Sequence, residues 1–223
     1  ATSTPFNNLT IFNTSATGVT LNTAASVGGI LTLTDGYVYT TTNVLTLTNT
    51  ASATSGLAAS YIIGPIIKQG ASDFVFPVGK GTKWARLGIF TITASSDFRA
   101  EYFNSQYVNI TSLVNPIEVV SGLEYWVLDR VAGAGNADVR LYWEDATWSQ
   151  ILECTPNGDL SVAHFTAGAW NDSGSPSITA GCTGPAPFTG WVQSNSVTVF
   201  SPFTFGSKNW QVNPLPVTLV NFT

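Results

Sequence analysis

Methionine is missing from this chain of 223 residues, even at position 1, and histidine occurs once, at His164. Charge is scarce too, at 9% of residues against about 25% in an ordinary globular protein. The 8 basic residues are scattered and the net charge is −5, so the clustered Lys and Arg that nucleic acid requires are lacking. Anionic membrane surfaces are disfavoured for the same reason. No run of about 18 apolar residues exists, so no membrane insertion is expected. The chain opens Ala1-Thr2-Ser3-Thr4-Pro5 without a signal peptide, as expected of a processed product or an excised piece. Cysteine occurs twice, at Cys154 and Cys182, with no CxxC spacing and a single histidine, so a zinc site is not supported. No stretch sustains i, i+3, i+4, i+7 apolar spacing, which argues against helices.

What is present is hydrophobic, at 44%, and otherwise neutral and polar. A surface of Thr, Ser, Asn and Gly suits an extracellular or cell-surface protein. In an exported chain, two cysteines about 28 residues apart read as one disulfide, Cys154–Cys182, worth roughly 3–4 kcal/mol. In a cytosolic one they would be free thiols.

Short alternating runs recur: Leu31-Thr-Leu-Thr, Leu45-Thr-Leu-Thr, Phe90-Thr-Ile-Thr and Val197-Thr-Val-Phe. Period-two alternation buries one face of a strand and wets the other, so the fold class is all-β. In residues 1–60, Leu9-Thr-Ile-Phe, Val19-Thr-Leu, Leu31-Thr-Leu-Thr and Leu45-Thr-Leu-Thr form a loose repeat. Strand plus tight turn, repeated, describes a solenoid-like region; uneven spacing leaves a plain antiparallel meander open. Ala51–Ser60 is small, polar and breaker-rich, and reads as a seam. Beyond it lie all seven Trp, both Cys and nearly all the charges. About nine short strands with turns between them predict a β-sandwich over 61–212. Residues 213–223, with Pro214 and Pro216, read as a stiff joint carrying a strand (Val217, Leu219, Phe222) for a neighbouring domain or a second copy.

Candidate chemistry is thin. His164 alternates within a strand pattern (Ser161-Val-Ala-His-Phe165), and no Gly-x-Ser-x-Gly elbow accompanies it, so a triad is disfavoured. Glu144, Asp145, Glu153 and Asp159 share a Trp-rich region, as a sugar hydrolase would require. Yet neighbours on a strand point to opposite faces, so Glu144 and Asp145 share a pocket only if the strand has ended. The expectation is that the chain is not an enzyme and has no cofactor, a structural calcium being possible. Asn157-Gly-Asp159 and Asn171-Asp172-Ser-Gly read first as turns. Val78-Gly-Lys-Gly-Thr82 lacks P-loop spacing and reads as a hairpin. The sequons say little in a chain so rich in Asn and Thr. Trp148 and Trp170, flanked by loop residues, are the candidates for stacking on a glycan; the other tryptophans are expected in the core.

Several phrases carry a resemblance: Tyr61-Ile-Ile-Gly-Pro-Ile-Ile-Lys68, Phe74-Val-Phe-Pro-Val-Gly-Lys80, Glu124-Tyr-Trp126, Phe200-Ser-Pro-Phe-Thr-Phe-Gly-Ser207 and Asn213-Pro-Leu-Pro-Val-Thr-Leu-Val220. In this order the chain resembles modules of large secreted, adhesin-like surface proteins of Bacteroidetes, in the region before a type IX secretion sorting domain. The resemblance implies export, a cell-surface location and a structural or adhesive role, possible self-assembly through strand edges being one branch. It carries no catalytic residue. A carbohydrate-binding module, accessory to an enzyme domain elsewhere, is the alternative. Expected partners are other domains of a parent chain, copies of itself, or glycans.

Overall fold

In the first third of the chain, apolar residues alternating with Thr point to the inside of short parallel strands, which wind as a three-sided solenoid of about three turns. The computed structural model describes residues 3–179 and 189–217. The first rung is β1 (Thr4–Phe6), β2 (Leu9–Phe12) and β3 (Val19–Thr20); the second is β4 (Ala25–Val27), β5 (Ile30–Asp35) and β6 (Val38–Tyr39). The third is β7 (Leu45–Leu47), β8 (Ser52–Ala53) and β9 (Ile62–Ile63), and β10 (Ile66–Gly70) starts a fourth turn. Thr4, Ala25, Leu45 and Ile66 stand in one parallel column, so a rung takes about 20 residues. Leu9 pairs with Leu31, and Val19 with Val38. The inward Val27, Leu31, Leu45 and Leu47 are fully buried, each such side chain contributing about 1.5–3 kcal/mol.

Short polar side chains satisfy the corners, where strand pairing stops. Asn8 Oδ1 accepts from the Ile30 amide at 2.8 Å, Thr54 Oγ1 from the Leu33 amide at 2.9 Å, and Ser60 Oγ donates to the Gly36 carbonyl at 2.8 Å. Each bond joins one rung to the next, which is the structural use of so much Thr, Ser and Asn.

The proposed seam at 51–60 is corrected. β8 lies inside it, Ser60 is buried, and β9 beyond it pairs with β6. The 1–60/61–212 division therefore gives way to a shared element: β10 is parallel to β7 on one side and antiparallel to β15 on the other. Gly64 makes the turn into β10 at φ +110°, where a Cβ would lie 1.8 Å from the Thr40 carbonyl oxygen. Lys68 on β10 is buried, and its Nζ donates to the carbonyls of Thr48, Asn49 and Gln69 at 3.1, 3.0 and 2.6 Å.

The chain continues through β11 (Phe74–Phe76), the hairpin β12 (Gly79–Lys80) and β13 (Lys83–Trp84), β14 (Leu87–Phe90), β15 (Ser96–Phe103), β16 (Val119–Val120), β17 (Tyr125–Gly133) and β18 (Ala137–Trp143). A short helix, α1 (Ala146–Ser149), follows, then β19 (Leu160–Thr166), β20 (Ala169–Asp172), β21 (Ser177–Ile178), β22 (Gly190–Val197) and β23 (Pro202–Ser207). One sheet runs β1-β4-β7-β10-β15-β17-β23-β19-β20, so a solenoid face becomes a sandwich sheet; β11-β14-β18-β22-β21 is the other layer. Between them Trp143 of β18 meets Phe205 of β23 edge-on at 5.9 Å, and the Trp126 indole donates to the Ala85 carbonyl at 2.9 Å. One hydrophobic cluster reaches from Ile11 to Leu215.

The joint expected at 213–223 is also corrected over its described part. Asn213 and Leu215 are fully buried. Asn213 Oδ1 accepts from the Leu152 and Glu153 amides, each at 2.9 Å, so the phrase through Pro216 belongs to the fold. Val217 is 51% exposed, while Leu219 and Phe222 lie outside the described residues.

Candidate functional site

A cavity of ≈ 250 Å³ opens where the third rung, the β12–β13 hairpin and α1 meet. Its aromatic walls are Trp84, Tyr102, Tyr142 and Trp148; Glu124, Glu144, Asp145, Lys83 and Ser149 supply polar groups.

The site depends on where β18 stops. Trp143 is its last residue, and Asp145 then caps α1, its Oδ1 accepting from the Thr147 and Trp148 amides at 2.9 and 3.3 Å. Because the strand has ended, Glu144 and Asp145 do line one cavity. The single helical turn turns Ser149 inward and presents the Trp148 ring to Lys83, whose Nζ sits 4.0 Å from the ring centroid.

Glu124 is fully buried behind the cavity wall. Its Oε1 accepts from Ser149 Oγ at 2.6 Å and its Oε2 from the Tyr102 hydroxyl at 2.9 Å. Burial pushes its carboxyl up to about 7, although both hydrogen bonds and Lys83 favour the charged form. Burial also raises the Glu144 carboxyl, opposed by Arg86, which clamps it through Nε at 2.5 Å and Nη2 at 3.0 Å. The Arg86 guanidinium covers Tyr142 at 4.4 Å and Trp84 at 4.7 Å.

Two donors at the cavity have no hydrogen-bond partner among the described residues, the first of them sealed inside the wall. Trp148 Nε1 is buried near the Tyr102 hydroxyl but makes no hydrogen bond of proper geometry. Among the described residues, Lys83 Nζ has neither a hydrogen bond nor an ion pair within 4 Å, beyond its place over the Trp148 ring.

Of the two tryptophans singled out in the sequence, only Trp148 belongs to this site. Trp170 is corrected: it is fully buried, its indole donates to the Asn109 carbonyl, and Tyr107 packs edge-on at 5.3 Å. It anchors a second small core with Ile117, Val120 and Ala163. Glu153 and Asp159 do not line the cavity. Glu124 was not singled out in the sequence, although it shares one parity with the inward-facing Trp126 and Leu128, the signal that places it inside.

His164 is 5% exposed, stacks on Phe203 at 4.3 Å, and burial lowers its pKa to about 4. Ser201 Oγ lies 2.5 Å from His164 Nε2 and donates to the Phe165 carbonyl. Ser201 Oγ thus lies between the His164 ring and the Phe165 carbonyl, and a hydroxyl proton given to the carbonyl leaves Nε2 to donate to Ser201.

The turns weighed for calcium are engaged locally: Asp172 accepts from Ser161 and from the Gly174 amide, and Asn157 sits at φ +54°. Among the described residues no group of three His, Cys, Asp or Glu could hold a metal ion. Gly79–Trp84 is the expected hairpin, turning at Gly81. Cys154 is 9% exposed in the main core; Cys182, the other half of the expected bridge, lies outside the described residues. Comparison with protein-family models, curated proteins and solved structures finds no match for this chain.

Proposed function

We propose that this chain is a non-catalytic extracellular module that binds carbohydrate in the Trp148 cavity. The observation that carries the reading is a concave site walled by Trp84, Tyr142 and Trp148, with hydrogen-bonding groups between the rings. Aromatic rings pack on the C–H groups of sugars, and a few fixed polar groups select among hydroxyl patterns; one face each of Trp84 and Tyr142 is taken by Arg86 and one of Trp148 by Lys83, so a sugar has to use the remaining ring surface or displace the cation. The state of the carboxylates supports binding over hydrolysis. A glycosidase needs an acid and a base or nucleophile facing the scissile bond, whereas Glu124 is engaged by Ser149 and Tyr102, and Glu144 by Arg86. Low charge and the resemblance to Bacteroidetes surface modules exported by type IX secretion support the extracellular placement. The test is a glycan array probed with the wild-type chain and with Trp148→Ala. Binding to a discrete glycan set, lost in the variant, is expected; an array with no hits contradicts the reading.

A structural or adhesive role through strand edges is the second reading. In the first rung Phe6 and Phe12 are 38% and 69% exposed, as expected of an end that stacks on another domain or a second copy. One feature opposes it. Thr4 N–H and the Phe6 carbonyl bond toward β4, so Pro5, between them, turns its donor-less nitrogen to the open side. Exposed Val217, just after the anchored Pro216, suits an exit toward a neighbouring domain.

A further inference from the structure

Resting on the carbohydrate reading, we infer that the glycan is acidic, and that Lys80 and Arg99 hold its carboxylate or sulfate in a second cavity beside the first. This cavity, of ≈ 250 Å³, opens where Gly64 and Pro65 of the solenoid meet the outward side chains of β15. Thr41 and Pro65 line its solenoid side, Arg99 and Glu101 its sheet side, and Lys80 reaches it from the β12–β13 hairpin. The same hairpin borders both cavities, since its Thr82, Lys83 and Trp84 line the first.

The reason is a set of donors that the fold leaves unspent and that solvent can reach. Lys80 and Arg99 are both partly exposed. Among the described residues Arg99 has no hydrogen bond and no ion pair within 4 Å, and Lys80 only rests its Nζ 4.6 Å from the Phe103 ring centroid. A guanidinium offers a planar fork that matches two oxygens of a carboxylate or a sulfate, and an ammonium beside it adds a point charge. The neighbouring acids do not fill that place. Glu101 lines the cavity without an ion pair to either cation, and burial raises its carboxyl against the pull of Lys80 and Arg99. Asp129, opposite Arg99 on β17, lines a different cavity. The second cavity therefore sets two cations against one carboxylate, in a chain whose net charge is −5. The hairpin adds to this. Lys80 and Lys83 are cross-strand partners, and like charges directly opposite destabilise a strand pair. Neither has an ion pair among the described residues, so an anion arriving here relieves a repulsion that the fold leaves standing. A neutral sugar gains none of this.

The experiment is titration calorimetry with oligosaccharides of galacturonan, alginate and carrageenan, each offered as the acid and as its charge-free counterpart, methyl-esterified or desulfated. At least one acid should bind, about tenfold or more tightly than its counterpart, the value of a charge-assisted hydrogen bond. Which pair responds separates carboxylate from sulfate. Arg99→Gln alters a side chain without a polar partner, so it should melt with the wild type. It should remove most of the preference for the acid and leave the counterpart's binding unchanged. Arg99→Lys, which keeps the charge and loses the fork, should fall between. Trp148→Ala should weaken acid and counterpart alike. Equal binding of acid and counterpart in every pair that binds, or a preference that survives Arg99→Gln, overturns this inference and leaves the carbohydrate reading intact. Should no oligosaccharide bind in either form, the inference fails, and the glycan array decides the broader reading separately.

Discussion

Ser149 Oγ donates to Glu124 Oε1 at 2.6 Å, tying the only helical turn among the described residues to a carboxyl buried beneath the cavity. This bond holds the turn carrying Trp148 against the sandwich, while Tyr102 of β15 fixes the other oxygen of the same carboxyl.

Glu124 makes stability pH-dependent. Its folded pKa, about 7, is raised above the ordinary glutamate value of about 4.3. The folded state therefore binds the extra proton. The stability this contributes is full below about pH 4.3 and is lost as pH rises through 7, amounting to on the order of 3 kcal/mol. Thermal melts of the wild type from pH 5 to 8 should show this fall, and Glu124→Gln should flatten it. An unchanged slope in the variant would place the titrating group elsewhere.

Lys68 fastens the coil to the sandwich. Three carbonyls of two different turns converge on its Nζ, and burial lowers its pKa. Lys68→Met fills the same space but leaves those carbonyls without their donor. We expect a loss of about 2–4 kcal/mol in urea unfolding; a loss below about 0.5 kcal/mol would show that water replaces the ammonium.

The tryptophans should separate by role. Trp170→Ala empties the small core with Ile117 and Val120 and should cost about 3–5 kcal/mol. Trp210 is 58% exposed, and Trp210→Ala should stay within about 0.5 kcal/mol. Equal melting temperatures for the two variants would contradict the assigned burial.

Pro5 is expected to blunt the open edge of β1. Pro5→Val restores an outward N–H and adds a β-branched residue, favouring edge pairing. Sedimentation velocity should show more self-association in the variant than in the wild type. A wild type already oligomeric, and no more so after the change, would favour the adhesive reading.

The strands were legible because Leu31-Thr-Leu-Thr and its kin state both the element and the buried face. The winding was not. The four repeated phrases fall on three different sides of the coil, β2 and β5 on one, β3 and β7 on the others, so their spacing measures corners of unequal length rather than a rung. In β23 Pro202 opens the strand, a position where a missing donor is tolerated. Trp148 and Trp170 look alike locally; what buries Trp170 is the segment around Tyr107 to Leu113, some sixty residues away. The condition for Glu144 and Asp145 to share a pocket was visible, as was a strand ending at Trp143; the helical turn that Asp145 caps was not.

The central claim, that ligand enters at Trp148, is tested most directly by the indole region of a nitrogen–proton NMR correlation spectrum. The chain has seven tryptophans, and Trp148→Phe assigns its own signal by deletion. On titration with a glycan selected from the array, the Trp148 indole resonance should shift, with Trp84 following, while the signals of buried Trp126 and Trp170 and of surface Trp210 stay in place. A titration that moves Trp210 or Trp191 and leaves Trp148 still would contradict the account.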